Sequence, residues 1–365
     1  MFHIPQRCLL DHILLCETRS SPPDESQEHA MATTSSRAVT LARVPDGTPC
    51  AEDFAVATVE VPAMAPGQVT VTVDVLSLDP YIRSTLGGRH LGDAPVNPGD
   101  VVPGRSIATV TASADDSVPV GTLVLAETGW REIAVLPAAA VTPVPRRAGV
   151  PASAALGALG MPGLTAYAAH VRHLKPRVGD TVVISSATGG VGAVAGQLAT
   201  VAGARAVAIV GTDEKVAIAT DQLGYAAAVV RGREGWVEEL RKACPDGIDA
   251  YLHMGDQATL DVVMEQLAVG ARVSLCGLMD QYNGGAPTTV RAGAVMTARA
   301  EVRGMVVYDH HDLLAEQAAR LGALIADGRI TLLEDRYVGL DQAPEAFARL
   351  MSGRNQGKVV VQVSP

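Results

Sequence analysis

Residues 181–200, TVVISSATGGVGAVAGQLAT, put a β-branched apolar run, a glycine turn and an amphipathic stretch in the order that a dinucleotide pyrophosphate requires. Gly189 and Gly192 let the backbone turn tightly and approach a phosphate, and the helix after them offers unpaired N–H groups to the anion. The first glycine of the G-x-G-x-x-G pattern is replaced, so the turn reads Ala187-Thr188-Gly189-Gly190-Val191-Gly192. Taken alone, the same residues also suit a plain strand-to-helix turn. A second apolar run, Ala206 to Val210, completes a βαβ unit. At its end an NAD site places an acid to accept from the ribose 2′-hydroxyl, whereas this chain reads Gly211-Thr212-Asp213-Glu214-Lys215. That substitution points to NADPH. Lys215 would neutralise the 2′-phosphate, and Arg231, one strand further on, would add a planar cation. Asp213 could N-cap the next helix and leave Lys215 facing the phosphate; the alternative is a solvated lysine in the first helical turn.

The elements that must position these residues follow from the patterning. From about Ala152 to Val307, helical stretches alternate with apolar strands at 182–185, 206–210, 226–230, 250–252, 273–276 and 302–306. This alternation predicts an α/β fold with a doubly wound parallel sheet. Between Val39 and about Pro145, short β-rich runs at 69–76, 106–112, 122–126 and 133–135 are separated by Pro and Gly, as in a small β-barrel-like domain. Lys358 to Val363 returns to strand character.

The chain has 365 residues, 48% of them hydrophobic, enough for a large core and two domains. Its formal net charge of −10 argues against nucleic acid as a partner, and no apolar run is long and clean enough to cross a bilayer. Five scattered cysteines provide neither a disulfide framework nor a Cys-x-x-Cys zinc site, so a reducing cytoplasm is the simplest compartment. The first 36 residues differ from the rest in composition and are read as a disordered extension, with Met31 as a candidate start. Asp11 interrupts the apolar stretch that a signal peptide would need.

Seven segments in order resemble the zinc-independent medium-chain dehydrogenase/reductases, in particular the prostaglandin reductase, leukotriene B4 12-hydroxydehydrogenase and alkenal double-bond reductase group. They are Leu78-Asp79-Pro80-Tyr81-Ile82-Arg83, Gly160 to Tyr167, Ala187 to Gly192, Asp213-Glu214-Lys215, Gln281-Tyr282-Asn283, Val306-Val307-Tyr308 and Gly353 to Lys358. The resemblance implies a Rossmann-type NADP-binding domain over 156–307 and a GroES-like β-barrel catalytic domain over 37–155 and 308–365. It implies that Gly189, Gly190, Val191 and Gly192 line the pyrophosphate and that Lys215 meets the 2′-phosphate. It also puts Cys276 and Tyr282 along the cofactor, puts Met161, Thr165 and Asn355 near the nicotinamide, and implies a homodimer. Two positions depart from the family pattern. Arg231 stands where a tyrosine is usual, and His253-Met254-Gly255-Asp256-Gln257 replaces an Asp-Asn-Val-Gly-Gly turn. Where zinc alcohol dehydrogenases carry a Gly-His-Glu segment the chain reads Pro103-Gly104-Arg105-Ser106, so no catalytic metal is expected.

The expected activity is NADPH-dependent reduction of the C=C bond of α,β-unsaturated aldehydes or ketones, hydride passing to the β-carbon and a proton to the α-carbon. Tyr282, beside Gly284-Gly285, is the candidate catalytic donor to the enolate oxygen, and Tyr81 the candidate substrate contact. A quinone oxidoreductase and a catalytically idle NADP-binding sensor remain as alternatives.

Overall fold

The computed structural model describes residues 34–88, 91 and 94–363. The reading of residues 1–30 and of Met31 therefore lies outside the described residues. In chain order the first elements are β1 (Ser35–Leu41), β2 (Phe54–Glu60), β3 (Gln68–Ser77), α1 (Ile82–Thr85), β4 (Arg105–Ser113), β5 (Leu123–Glu127), β6 (Ile133–Pro137) and β7 (Thr142–Pro143). There follow α2 (Met161–Ala168), β8 (Thr181–Ser185), α3 (Gly192–Val201), β9 (Arg205–Val210), α4 (Glu214–Ala217), β10 (Ala227–Val230), α5 (Trp236–Ala243) and β11 (Ile248–Gly255). The last are α6 (Gln257–Met264), β12 (Leu267–Leu278), α7 (Met279–Tyr282), α8 (Ala292–Ala298), β13 (Glu301–Gly304), α9 (Leu314–Ala326), β14 (Glu334–Val338), α10 (Ala343–Met351) and β15 (Lys358–Gln362).

Six strands form a parallel sheet in the order β10-β9-β8-β11-β12-β13. Its order reverses between β8 and β11, and a doubly wound sheet opens its ligand crevice at such a point, outside the carboxyl ends of the strands. Consecutive residues of β8 pack into opposite layers: Val182 and Ile184 join the core beneath α2, α3 and α9, whereas Val183 joins the core beneath α5 and α6. Burial on both faces explains the unbroken apolar run.

A second sheet runs β14-β15-β3-β4-β5-β7, with β6 added to β3, and β1 pairs with β2 apart from it. Its core is organised by Trp130, stacked on Phe54 at 5.5 Å and edge-on to Phe347 of α10 at 5.4 Å. The Rossmann-type sheet and the separate β domain are thus both present.

Three expectations change in detail. Ser35 and Ser36 belong to β1, so the first strand begins before residue 37. The expected boundary at 307/308 is crossed by packing: Leu321, Leu324 and Ile325 of α9 turn an apolar stripe onto the core around α2 and β8, and the chain rejoins the second sheet only at Glu334. His253, Met254 and Gly255, read as a turn after the fourth strand, are the end of β11 itself. Among the described residues, no helix is long and apolar enough to cross a membrane.

Candidate functional site

The glycine turn leaves the carboxyl end of β8 through Ser186, which adopts a left-handed φ of 49°. Its hydroxyl donates to the Met254 carbonyl at the end of β11 (2.6 Å), so the strained residue is held by the strand across the switch point. Gly192 opens α3 under close constraint, since a Cβ there would lie 2.4 Å from the Ser186 carbonyl oxygen and 2.8 Å from the Ala187 Cα. Gly190 is less confined: its nearest neighbour would be the Lys358 side chain at 3.2 Å. A ten-residue helix thus starts at a glycine-rich turn, a cradle of the kind a pyrophosphate needs.

A cleft of about 260 Å³ lies over this turn, and Gly189, Gly190, Val191, Gly192, Arg231 and Asn355 all line it. Asn355 is buried, and its side-chain amide donates to the Gly357 carbonyl (2.8 Å), while Gly357 forms a β-bridge with Gly189. The segment before β15 is therefore docked against the glycine turn.

The two cations expected at the 2′-phosphate are held differently. Lys215 is buried, and its ammonium donates to the carbonyl of Gly353, a lining residue of the cleft, at 2.6 Å. Burial, and then the nearby Arg231 guanidinium, lower its pKa to about 8. Arg231 is ion-paired with Asp256, whose carboxylate also caps α6 by accepting from the Thr259 amide (2.8 Å). Arg231 and the altered His253 to Gln257 segment are thus one arrangement, in which the arginine's partner comes from the same departure. Asp213 does not cap α4 with its side chain; it pairs with Arg233 at 2.8 Å, because that guanidinium reaches it from the loop after β10.

Met161 begins α2, and the buried Thr165 hydroxyl donates to its carbonyl (2.8 Å). Cys276 is half-buried in β12, and burial pushes its thiol up to about 12, which keeps it a thiol. Tyr282 ends α7 and packs against the β-domain core; burial first, then Cys276, raises its phenol. It lines none of the three cavities described here, although its neighbours Met279, Asp280 and Asn283 line the cleft.

A cavity of about 480 Å³ lies beside the cleft and meets it at Asp79 and Pro162, which line both. Tyr81, Tyr308, Met161 and Arg105 line this cavity. Burial, then Asp79, raises the Tyr81 phenol above its ordinary range, so it remains a proton donor. A third cavity of about 840 Å³, walled largely by apolar side chains, shares Arg105, Glu127, Ala155, Met161 and Tyr308 with the second.

The structure brings Lys358 and Asp79 together at the junction of cleft and cavity. The ammonium donates to Asp79 (2.9 Å) and to the Leu78 carbonyl (2.6 Å), and the Ser77 hydroxyl donates to the other carboxylate oxygen. Sequence reasoning gave no role to Asp79, Tyr308 or Lys358. Each nevertheless sits inside a segment that carried the family resemblance, and that was the available signal. Among the described residues there is no cluster of three or more His, Cys, Asp or Glu that could hold a metal.

Comparison with known proteins adds to this geometry. One family model, described as the N-terminal domain of oxidoreductase, matches residues 37–144, and another, described as zinc-binding dehydrogenase, matches residues 190–322. The chain is 32% identical to the NADPH-dependent curcumin reductase of Escherichia coli, across 89% of this chain and 96% of that protein. It is also 32% identical to the NADP-dependent 2-alkenal reductase of Nicotiana tabacum, across 90% and 98%. The crystal structure of CurA from Vibrio vulnificus in complex with NADPH superposes with a TM-score of 0.85 at 34% identity, covering 90% of this chain and 99% of that one.

Proposed function

The chain belongs to the zinc-independent medium-chain dehydrogenase/reductases, and from this we propose that it is an NADPH-dependent reductase of the C=C bond of α,β-unsaturated aldehydes and ketones. The observation that carries the proposal is the meeting of the glycine-turn cleft with a cavity lined by two tyrosines. The names of the curcumin and alkenal reductases, and the NADPH of the Vibrio structure, support the same reading.

When bound, NADPH supplies the hydride to the substrate β-carbon. The glycine turn and the amides of α3 hold its pyrophosphate, and Lys215 with Arg231 holds the 2′-phosphate. Asn355, fixed on Gly357, orients the cofactor end that faces Asp79 and Pro162. Met161, at the start of α2 next to Pro162, lines the second cavity, and Thr165 one turn on holds the Met161 carbonyl.

In the second cavity, the work left to the protein is to hold the alkene in place and to oppose negative charge as it develops on the carbonyl oxygen. A neutral phenol suits that oxygen. We assign this donor role to Tyr308 and the substrate contact to Tyr81, since both line the cavity. Tyr282 keeps a place beside the cofactor cleft, next to Met279, Asp280 and Asn283.

The proposal includes a catalytic β domain and a nucleotide-binding domain, a division supported by the separation of their sheets. It also includes a homodimer, which sedimentation equilibrium would measure. The deciding experiment follows absorbance at 340 nm with NADPH and NADH, offering a short enal, a short enone and a quinone, and identifies the product. Alkene-saturated carbonyl formed preferentially with NADPH is the expected result; quinone turnover alone overturns the proposal.

A further inference from the structure

We propose that the Arg105–Glu127 ion pair is a specificity determinant that selects enones carrying a hydrogen-bonding group, such as a hydroxyl, part-way along their apolar arm. The inference rests on the reductase reading above and adds to it the class of substrate arm.

Arg105 opens β4 and Glu127 closes β5, and the two are direct cross-strand partners. The register therefore points both side chains to one face of the sheet at adjacent positions. Arg105 Nε donates to Glu127 Oε1 at 2.7 Å, and its Nη2 reaches the same oxygen at 2.5 Å. Among the described residues, Glu127 Oε2 and the remaining guanidinium N–H groups have no further partner. Both residues line both cavities and, with Ala155, Met161 and Tyr308, form the wall shared by the 480 Å³ cavity and the larger 840 Å³ one, so this half-exposed pair is the ionic part of the waist.

The walls on the far side are apolar, with Leu125, Val144, Val150, Leu159 and Leu164 among them, although Arg146, Arg147 and His311 also contribute. Arg147 is already committed to the Ala318 carbonyl at 3.0 Å. An arm that leaves the enone cavity for the larger space along the β4–β5 side of the shared wall runs over this pair. A methylene there strips water from a charged pair and returns no hydrogen bond, whereas a hydroxyl can donate to Glu127 Oε2 or accept from the guanidinium. Sites built to hydrogen-bond a substrate group discriminate strongly against the analogue that lacks it.

The test uses a straight-chain methyl enone long enough to span both cavities, and the same enone with one mid-chain hydroxyl. The wild type is expected to favour the hydroxylated enone in kcat/KM by about tenfold or more. Arg105→Leu combined with Glu127→Leu, which removes both charges together, should abolish or invert that preference, and the exchanged pair Arg105→Glu with Glu127→Arg should restore it. Equal preference in the wild type and the leucine variant overturns the proposal.

A second measurement keeps the two readings apart. Calorimetric titration of the cofactor-loaded protein with the two corresponding saturated ketones reads the waist without turnover. If the wild type reduces no enone but binds the hydroxylated ketone more tightly, and the leucine variant does not, the reductase reading falls and the waist stands. If the wild type reduces enones but distinguishes neither pair of ligands, the waist falls and the reductase reading stands.

Discussion

Lys358 and Asp79 form a buried ion pair, Nζ to Oδ1 at 2.9 Å, with both side chains less than a tenth exposed. The pair ties the first residue of β15 to the segment that follows β3, 279 positions away, and the lysine stem lies against Gly190 of the glycine turn. Because the Ser77 hydroxyl and the Leu78 carbonyl complete it, the pair is satisfied, and it lies where the glycine-turn cleft meets the 480 Å³ cavity.

Removing one partner leaves the other charge buried alone. Lys358→Met is expected to lower unfolding free energy by roughly 3–5 kcal/mol, measured by urea denaturation. Asp79→Asn should cost less, since the asparagine oxygen can still accept from the ammonium. If both variants keep wild-type stability, the pair is not a structural tie.

The proposed contact of Lys215 with the 2′-phosphate is expected to give NADPH binding a pH dependence. With its pKa at about 8 in the free protein, the ammonium is charged below that pH and neutral above it. The affinity for NADPH is therefore expected to weaken as pH rises beyond about 8, approaching tenfold per pH unit, while the affinity for NADH stays flat. Fluorescence titration of both cofactors across that range checks the sign. Lys215→Met should remove the pH dependence, and Arg231→Ala should have a smaller effect because Arg231 is engaged with Asp256.

Tyr308→Phe and Tyr282→Phe separate the two candidate donors. Loss of a preorganised donor to an oxyanion typically costs about 10²–10³ in kcat. That loss is expected for Tyr308→Phe with NADPH affinity unchanged, and Tyr282→Phe is expected to retain most of its kcat. Stopped-flow measurement of hydride transfer in both variants is decisive; the reverse ranking would return the role to Tyr282.

The glycine turn is expected to answer unequally to alanine. At Gly192 the added methyl would meet backbone at 2.4 Å and 2.8 Å, which cannot move without opening the turn. Gly192→Ala should therefore lose roughly 1–3 kcal/mol of stability and most of its NADPH binding. Gly190→Ala meets side chains and not backbone, the Lys358 stem at 3.2 Å and Pro162 at 3.6 Å, and should cost less stability than Gly192→Ala. Thermal melts with and without NADPH compare the two.

His253 makes the protein acid-sensitive. It is fully buried, its Nδ1 hydrogen-bonded to the Tyr251 hydroxyl at 2.7 Å, and burial lowers its pKa to about 4 from the ordinary 6.5. Between those values the unfolded chain binds a proton that the folded chain does not, so stability falls as pH falls from about 6.5 to about 4. The contribution is at most about 1.4 kcal/mol per pH unit. His253→Gln should flatten the pH dependence of the denaturation midpoint over that window; an unchanged slope would show that His253 does not titrate there.

What the sequence determined by itself was local in origin. The run Val182–Ile184, the turn Ala187 to Gly192 and the alternation of apolar strands with helices rest on side-chain periodicity and backbone freedom within a few residues. The switch-point sheet and the cradle over α3 were legible for that reason. The place of Lys215 just after β9 was legible too, because it is set along the chain.

Tertiary structure decided whatever depends on which distant strands become neighbours. Glu334–Val338 is a polar edge strand, half-exposed and without the apolar signature that marks β8, so only its pairing with β15 reveals it. Asp79 meets Lys358, and Arg105 meets Glu127, through sheet register, a property that neither segment carries alone. Tyr282 and Tyr308 are both tyrosines flanked by family segments, and local sequence cannot separate them. Only the fold puts Tyr308 on the cavity wall and packs Tyr282 against the β-domain core.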